Sequence, residues 1–355
     1  MALTDQSTSI RAGEELDVAV IDPYLKAHIS TLSGTPKISQ FPGGASNLTY
    51  LLEYPEQEFV LRRPPFGHRA KSAHDMGREY RILNQLNAGF PYCPKAYVHC
   101  TDESVIGAEF YVMQRVNGII LRSDMPTELN FSPAQTRALC QSFIDKLVEL
   151  HNVDYQACGL GDLGKPEGYV QRQIGGWIDR YEKALTPDAP LWEPVKAWLK
   201  DKMPADHPKS AIVHNDYRFD NVILDPKDPS QIIGVLDWEL TTIGDPLMDL
   251  GNTLAYWIEA SDPAPVQMMR RQPSNAAGML TRQEFVDYYA ERAGIQIASI
   301  DFYYTYGLFR LAGIVQQIYY RYYHGQTQDK RFAQFIHMNK LLEQMCLQVI
   351  AKSQL

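Results

Sequence analysis

The chain has 355 residues, with 34 Lys and Arg against 42 Asp and Glu, a formal net charge of −8 and 45% hydrophobic residues. That is length enough for two domains or for one domain in two lobes. The apolar content excludes a mostly disordered chain. The acidic balance argues against a dedicated nucleic-acid binder, because phosphate backbones favour basic surfaces. Cys93, Cys100, Cys140, Cys158 and Cys346 are widely spaced with no C-x-x-C pair, so they suggest neither a zinc ribbon nor a disulfide framework and read as reduced thiols. No apolar run of about twenty residues occurs. The opening residues have no basic segment followed by an apolar one. We therefore expect no membrane span and a cytoplasmic location.

Up to about residue 35 the chain reads as a mixed, helical arm. The period then becomes that of strands, at 37–41, 47–54 and 58–62. Leu48, Tyr50, Leu52 and Tyr54 fall on one face of the second strand. The segment Pro42-Gly43-Gly44-Ala45-Ser46 between the first two is turn chemistry, so three antiparallel strands form a meander. A helix is expected over about 71–88, with Met76, Tyr80 and Leu83 near one face and Glu79 on that same face. A buried carboxylate wants a cationic partner. Glu79 either finds Arg62 or Arg63 on the third strand or sits at the stripe's edge in water. A further strand spans 109–114, and helical periodicity follows over 139–150. The first, sheet-rich lobe is expected at 1–116 and the helix-rich second at 117–355.

The chemistry-bearing stretch runs from Ala211 to Leu224. Short apolar runs flank a polar loop holding His214, Asp216 and Asn221, and a turn then leads into a strand at 232–236 that ends in Asp237-Trp238-Glu239. A hairpin of this length can return Asp237 to the vicinity of Asn221. Phosphoryl transfer needs a carboxylate to take or orient the acceptor's proton, and an amide plus a second carboxylate to hold a metal against the phosphates. The bland alternative is a loop of Asx-type turns in which His214 and Asp216 satisfy backbone groups. Asp245 before Pro246 reads as a helix cap. Asp249, one turn later, reads as support that could point back at the loop, and His151 as a capping or structural histidine. The late aromatic stretches around Tyr303–Tyr306 and Tyr319–Tyr323 read as helix packing rather than as a stacking site.

With His214-Asn215-Asp216 through Asn221, and Asp237 in Asp-Trp-Glu, the chain resembles the aminoglycoside phosphotransferase and choline kinase-like superfamily over about 35–345. The resemblance implies an α+β, two-lobed protein-kinase-like fold with ATP and Mg²⁺ as cofactors. It implies that Asp216 is the catalytic base and that Asn221 and Asp237 bind the metal. In the first lobe it implies that Gly43, Gly44 and Ser46 cover the phosphates. It implies further that Glu79 pairs with the strand position that here is Arg62 in place of the usual lysine, and that Gln114 to Val116 are the hinge at adenine with Met113 behind it.

Several segments resemble a narrower branch, the kinase-like module fused to some acyl-CoA dehydrogenases. These are 43–50, 59–65, 74–80, 169–173 with Trp177, and 309–314. That resemblance implies a hydroxyacyl-CoA acceptor of the 4-hydroxyacyl type and a functional link to an acyl-CoA dehydrogenase. An anionic CoA would need basic anchors, for which Arg172, Arg180, Arg270, Arg271, Arg310 and Arg321 are available, each of which can equally be solvated or structural. An aminoglycoside or other amino-sugar would instead need a carboxylate cluster, and no dense acidic run follows residue 250. A catalytically silent nucleotide-binding module is the remaining alternative, against which the intact Asp216, Asn221 and Asp237 argue.

Overall fold

The first helix, α1 (Val18–His28), starts where the Asp17 carboxylate accepts the Ala19 N–H. The structure is a computed structural model and describes residues 4–42, 47–65 and 75–355. The three alternating segments form β1 (Lys37–Gln40), β2 (Leu48–Glu53) and β3 (Glu58–Arg63), within a residue of the expected bounds at each end. Helix α2 (Met76–Leu86) is capped by Asp75. Strand β4 (Ala96–Cys100) was not anticipated, although Ala96, Val98 and Cys100 alternate as buried residues. Strand β5 (Phe110–Gln114) follows.

Helix α3 (Pro133–His151) begins earlier than its apolar stripe suggested, because Ser132 and Gln135 form a capping box with Pro133 at the first helical position. The chain continues through α4 (Tyr169–Lys183), α5 (Glu193–Asp201), β6 (Ala211–Val213), β7 (Val222–Leu224), β8 (Ile232–Val235) and β9 (Thr242–Gly244). It ends with α6 (Pro246–Ala255), α7 (Ala264–Gln267), α8 (Arg282–Ala293), α9 (Asp301–Tyr323) and α10 (Phe335–Lys352). No helix among the described residues is long and apolar enough to cross a membrane.

The chain divides into two compact units, the first being 1–120, 154–160 and 221–240. Its antiparallel sheet has the order β1-β2-β3-β5-β4. Tyr50, Leu52, Phe59, Leu61 and Val112 on one face join Ile21, Leu25 and Ile29 of α1 in an apolar core. The register pairs Thr49 with Arg62, Leu51 with Val60, and Val60 with Met113. Because side chains alternate along a strand, these five residues share the opposite face. The β7–β8 hairpin belongs to this unit. It pairs Val222 with Val235, and the Val235 N–H donates to Tyr92 O at 2.8 Å.

The second unit, 121–153, 161–220 and 241–355, is mainly helical. A short pair, β6 with β9, runs antiparallel, and of the late aromatics on α9 Tyr303, Tyr306 and Tyr319 are buried, whereas Tyr323 is exposed. Helices α6 and α9 meet at backbone distance through glycines. A Cβ on Gly307 would lie 2.1 Å from Gly251 O, and one on Gly251 would lie 2.1 Å from Tyr303 O. Neither contact can be relieved by rotating a side chain. Gly307→Ala should therefore force the helices apart and destabilise the protein by about 1–3 kcal/mol, as overpacking does. Urea denaturation of wild type and variant reads that difference as a lowered midpoint.

Candidate functional site

The loop after β6 hangs from one buried carboxylate. Asp249 on α6 accepts the N–H of His214 at Oδ2 and of Asn215 at Oδ1, each at 2.7 Å. His151 Nε2–H donates to Oδ2 at 3.1 Å, and Nδ1 on the same ring accepts from Tyr289 O–H at 2.7 Å. Burial pushes the Asp249 carboxyl up, but His151 and the loop N–H outweigh it and hold the group below its usual value. Asn215 takes a left-handed backbone with φ +64°. Few residues other than glycine do so, and Asn is among them. Its side-chain oxygen accepts from Asn252 Nδ2 at 3.1 Å.

Downstream, Tyr217 O–H donates to Phe143 O at 2.9 Å, and the Phe219 N–H donates to Gln272 Oε1 at 2.9 Å. Between these anchors Asp216 stays partly open. One guanidinium nitrogen of Arg218 donates to Asp216 Oδ2 at 3.1 Å and lies 3.4 Å from Asp220 Oδ2. Arg218 also stacks over Tyr256 with its Cζ 4.6 Å from the ring centre. Burial opposes the charge of Arg218, but Asp216, Tyr256 and Asp220 hold it charged. Arg218 and Asp220 were not anticipated as site residues, although an arginine set between two aspartates inside the loop is a visible signal.

In the first unit Asn221 is buried at the start of β7, and the Leu236 N–H donates to Asn221 O at 2.8 Å. The hairpin thus returns the chain to Asn221 just before Asp237. Asp237 has φ +67°, and its Oδ1 is buried without a hydrogen-bond partner. Arg62 pairs with Glu79, and its other terminal nitrogen lies 3.7 Å from Asp237 Oδ1 and 3.9 Å from Glu239 Oε2. Of the two positions open to Glu79, the structure gives the buried one beside Arg62: it is 2% exposed. Burial pushes the Glu79 carboxyl up and Arg62 pulls it back. Arg62 itself is held charged, because Glu79, Asp237 and Glu239 together outweigh its burial. Arg62 Nε and Glu79 Oε2 are buried with the Tyr111 hydroxyl, the residue opposite Arg62 on β5, which interacts with both.

Gly43, Gly44 and Ser46 lie outside the described residues. The next residue, Asn47, donates from Nδ2 to Glu239 Oε2 at 3.3 Å. Met113 lies on the Arg62 face of the sheet, Gln114 N–H donates to Lys95 O at 2.8 Å, and Val116 packs against Gly234. A cavity of about 450 Å³ opens in this unit, lined by Ser39, Leu51, Glu53 and Glu58 of the sheet with Arg115 and Asn117 after β5.

Among the described residues no cluster of three or more His, Cys, Asp or Glu could hold a metal. The available donors are oxygens, the Asn221 amide and the Asp237 carboxylate. Few protein oxygens and the unsatisfied Asp237 Oδ1 suit a hard cation that keeps waters and borrows phosphate oxygens.

Most of the arginines considered as CoA anchors are tied elsewhere. Arg172 donates to the carbonyls of Lys165 and Glu167, and Arg270 to Ser123 O at 3.0 Å and to Asp124. Arg180 and Arg310 lie over Trp177. Arg271 is exposed, with no hydrogen bond or ion pair among the described residues.

Asp249 gives a pH prediction. Its folded value is depressed, so its stabilisation is complete above the unfolded carboxylate value of about 3.9 and is lost as pH falls through the lower folded value. Asp249→Asn should be less stable than wild type at neutral pH by about 1.5–3 kcal/mol, the worth of a hydrogen bond to a charged group. The gap should close with acidification. Urea midpoints at a series of pH values measure it, and a gap that widens in acid contradicts the assignment.

The family model described as "Phosphotransferase enzyme family" matches residues 37–285. Acyl-CoA dehydrogenase family member 11 of Homo sapiens is 33% identical over 343 residues, which cover 94% of this chain and 43% of that protein. The chain thus spans less than half the length of that relative. A solved chain from Ralstonia eutropha, provisionally designated an aminoglycoside phosphotransferase, superposes with a TM-score of 0.82 at 32% identity, covering 96% of this chain and 100% of its own. Choline kinase from Cryptosporidium parvum shares the fold, with a TM-score of 0.63 at 11% identity over 95% of this chain and 96% of its own.

Proposed function

Since this chain belongs to the phosphotransferase enzyme family, we propose that it transfers the γ-phosphoryl group of ATP to the hydroxyl of a small molecule, a hydroxyacyl-CoA of the 4-hydroxyacyl type. The observation that carries the transfer reading is the loop and its hairpin. Asp249 fixes the backbone from which Asp216 projects, and the hairpin brings Asp237, with its unsatisfied oxygen, back to Asn221.

In this reading Asp216 accepts the acceptor's hydroxyl proton as the oxygen bonds to the γ-phosphorus and the bond to the β-phosphate oxygen breaks, releasing ADP. Arg218 holds the Asp216 carboxylate in place. Asn221 and Asp237 are the residues that would hold Mg²⁺. Bound there, the ion supplies charge neutralisation for the nucleotide's phosphates. Arg62, steadied by Glu79, is the cation that would grip phosphate with its guanidinium fork. Gly43, Gly44 and Ser46 cover the phosphates. The backbone of Gln114 to Val116, with Met113 on the Arg62 face, meets the base. The functional division follows as 1–116 for covering the nucleotide and 117–355 for the catalytic loop, the metal ligands and the acceptor.

The acyl-CoA acceptor rests on the likeness to acyl-CoA dehydrogenase family members, together with the chemistry. A hydroxyl is a poor leaving group, and its phosphate ester is a good one. A 4-phosphoacyl thioester is therefore a sensible product to pass on toward an acyl-CoA dehydrogenase.

ADP release from Mg-ATP should depend on 4-hydroxyacyl-CoA and not on a panel of aminoglycosides. Release with aminoglycosides alone would overturn the acceptor and keep the chemistry. Asp216→Asn should lower kcat by about 10²–10⁴-fold, the usual worth of a general base, with nucleotide affinity retained. Asp237→Ala should instead weaken Mg-ATP binding by about tenfold or more, comparable to losing a ligand-orienting group. Calorimetric titration with and without Mg²⁺ separates the two. Full turnover in Asp216→Asn would remove the base from that residue.

A further inference from the structure

The second unit holds a cavity of about 160 Å³ that its helices leave unfilled. Its walls are aliphatic and aromatic. Leu311, Ile314, Val315 and Ile318 recur at helical spacing on one face of α9, and Phe335 and Met338 face them from α10. Apolar walls of this kind favour an apolar occupant, because covering them removes apolar area from water. Ile314 and Ile318 are themselves only partly buried, so the slot reaches solvent.

Two charged residues, Arg218 and Arg271, line the same cavity. Arg218 is the residue that clamps Asp216, so a molecule in the slot lies one guanidinium from the carboxylate assigned to take the acceptor's proton. Arg218 Nε is buried without a hydrogen-bond partner, leaving a donor for a polar group on the occupant. Arg271, exposed and without a partner among the described residues, suits an anion at the mouth. The slot is smaller than the ~300–1,000 Å³ typical of a pocket that engulfs a drug-sized ligand. It therefore fits one arm of a substrate. An amino-sugar, with polar groups on every edge, would leave them unpaired against these walls.

We propose that this slot is a chain subsite: it receives the aliphatic segment of the hydroxyl-bearing acyl ligand and sets which chain lengths present their hydroxyl to Asp216. The proposal rests on the acyl acceptor named above and adds the place where the chain is selected.

Met269 and Met338 both line the slot and report on it directly. With methyl-labelled methionine, octanoyl-CoA should shift these two resonances, and CoA alone should not. Octanoyl-CoA lacks the hydroxyl, so this readout does not depend on turnover. Affinity should rise from butanoyl- to octanoyl-CoA by up to roughly fourfold per added methylene, the worth of burying one. Ile318→Trp, which fills the slot, should cut kcat/KM for 4-hydroxydecanoyl-CoA at least tenfold relative to 4-hydroxypentanoyl-CoA. Equal shifts with CoA alone, or a flat dependence on chain length in the wild type, would overturn the subsite even if 4-hydroxyacyl-CoA is phosphorylated. Chain-dependent shifts of Met269 and Met338 would uphold the subsite even if no hydroxyacyl-CoA accepts phosphate, and the acceptor reading alone would then fall.

Discussion

The geometry of the second unit depends on the Asp249 carboxylate. It is fully buried, and such a group is tolerable only when its oxygens are filled. Two backbone N–H groups of the loop and one imidazole fill them. The same bonds hold Asn215 in the left-handed region, which turns the chain and lets Asp216 face outward while Tyr217 and Phe219 turn in. Helix α6 must therefore sit at a fixed depth. The glycine contact with α9 sets that depth, and Asp245, whose carboxylate accepts the Leu247 N–H, sets where the helix begins. A packing contact, a cap and a buried charge thus act in series on one loop.

The first unit solves a different electrostatic problem. Arg62 and Glu79 are each expensive to bury alone, and each offsets the burial of the other beside Tyr111. Asp237 adds a third charge and a strained backbone. Arginine at this position widens the reach of the cluster. Its fork contacts Glu79 and approaches Asp237 and Glu239 at once, which a lysine ammonium, as a point charge on a single stem, would do less well.

Much of this was legible in the chain. The three strands of the first meander follow from period-two alternation and the turn residues between them. Asp245 announces its helix by capping chemistry; Asp75, inside the helix expected over 71–88, and Ser132, ahead of the apolar stripe that begins at Leu139, carry the same signal and set the true starts. The pairing of Asn221 with the chain before Asp237 follows from the similar lengths of β7 and β8. Strand β4 escaped because its five residues mix Tyr and His into the alternation. Arg218 escaped because an arginine beside aspartates is ordinarily a solvated surface residue.

The sequence by itself determined the first meander, the helix that carries Glu79 and the order of residue types in the loop and hairpin, since spacing, capping and residue type act over a few neighbours. It could not choose between Arg62 and Arg63 for Glu79, or between water and burial for that carboxylate. Nor could it show that Leu311, Ile314, Val315 and Ile318 border a gap instead of a filled core, because an apolar helix face reads the same whether or not a side chain fills the space opposite. Those outcomes belong to the tertiary structure. Burial, unfilled hydrogen bonds and empty volume depend on what residues far away in sequence place against a side chain, and no local pattern encodes that.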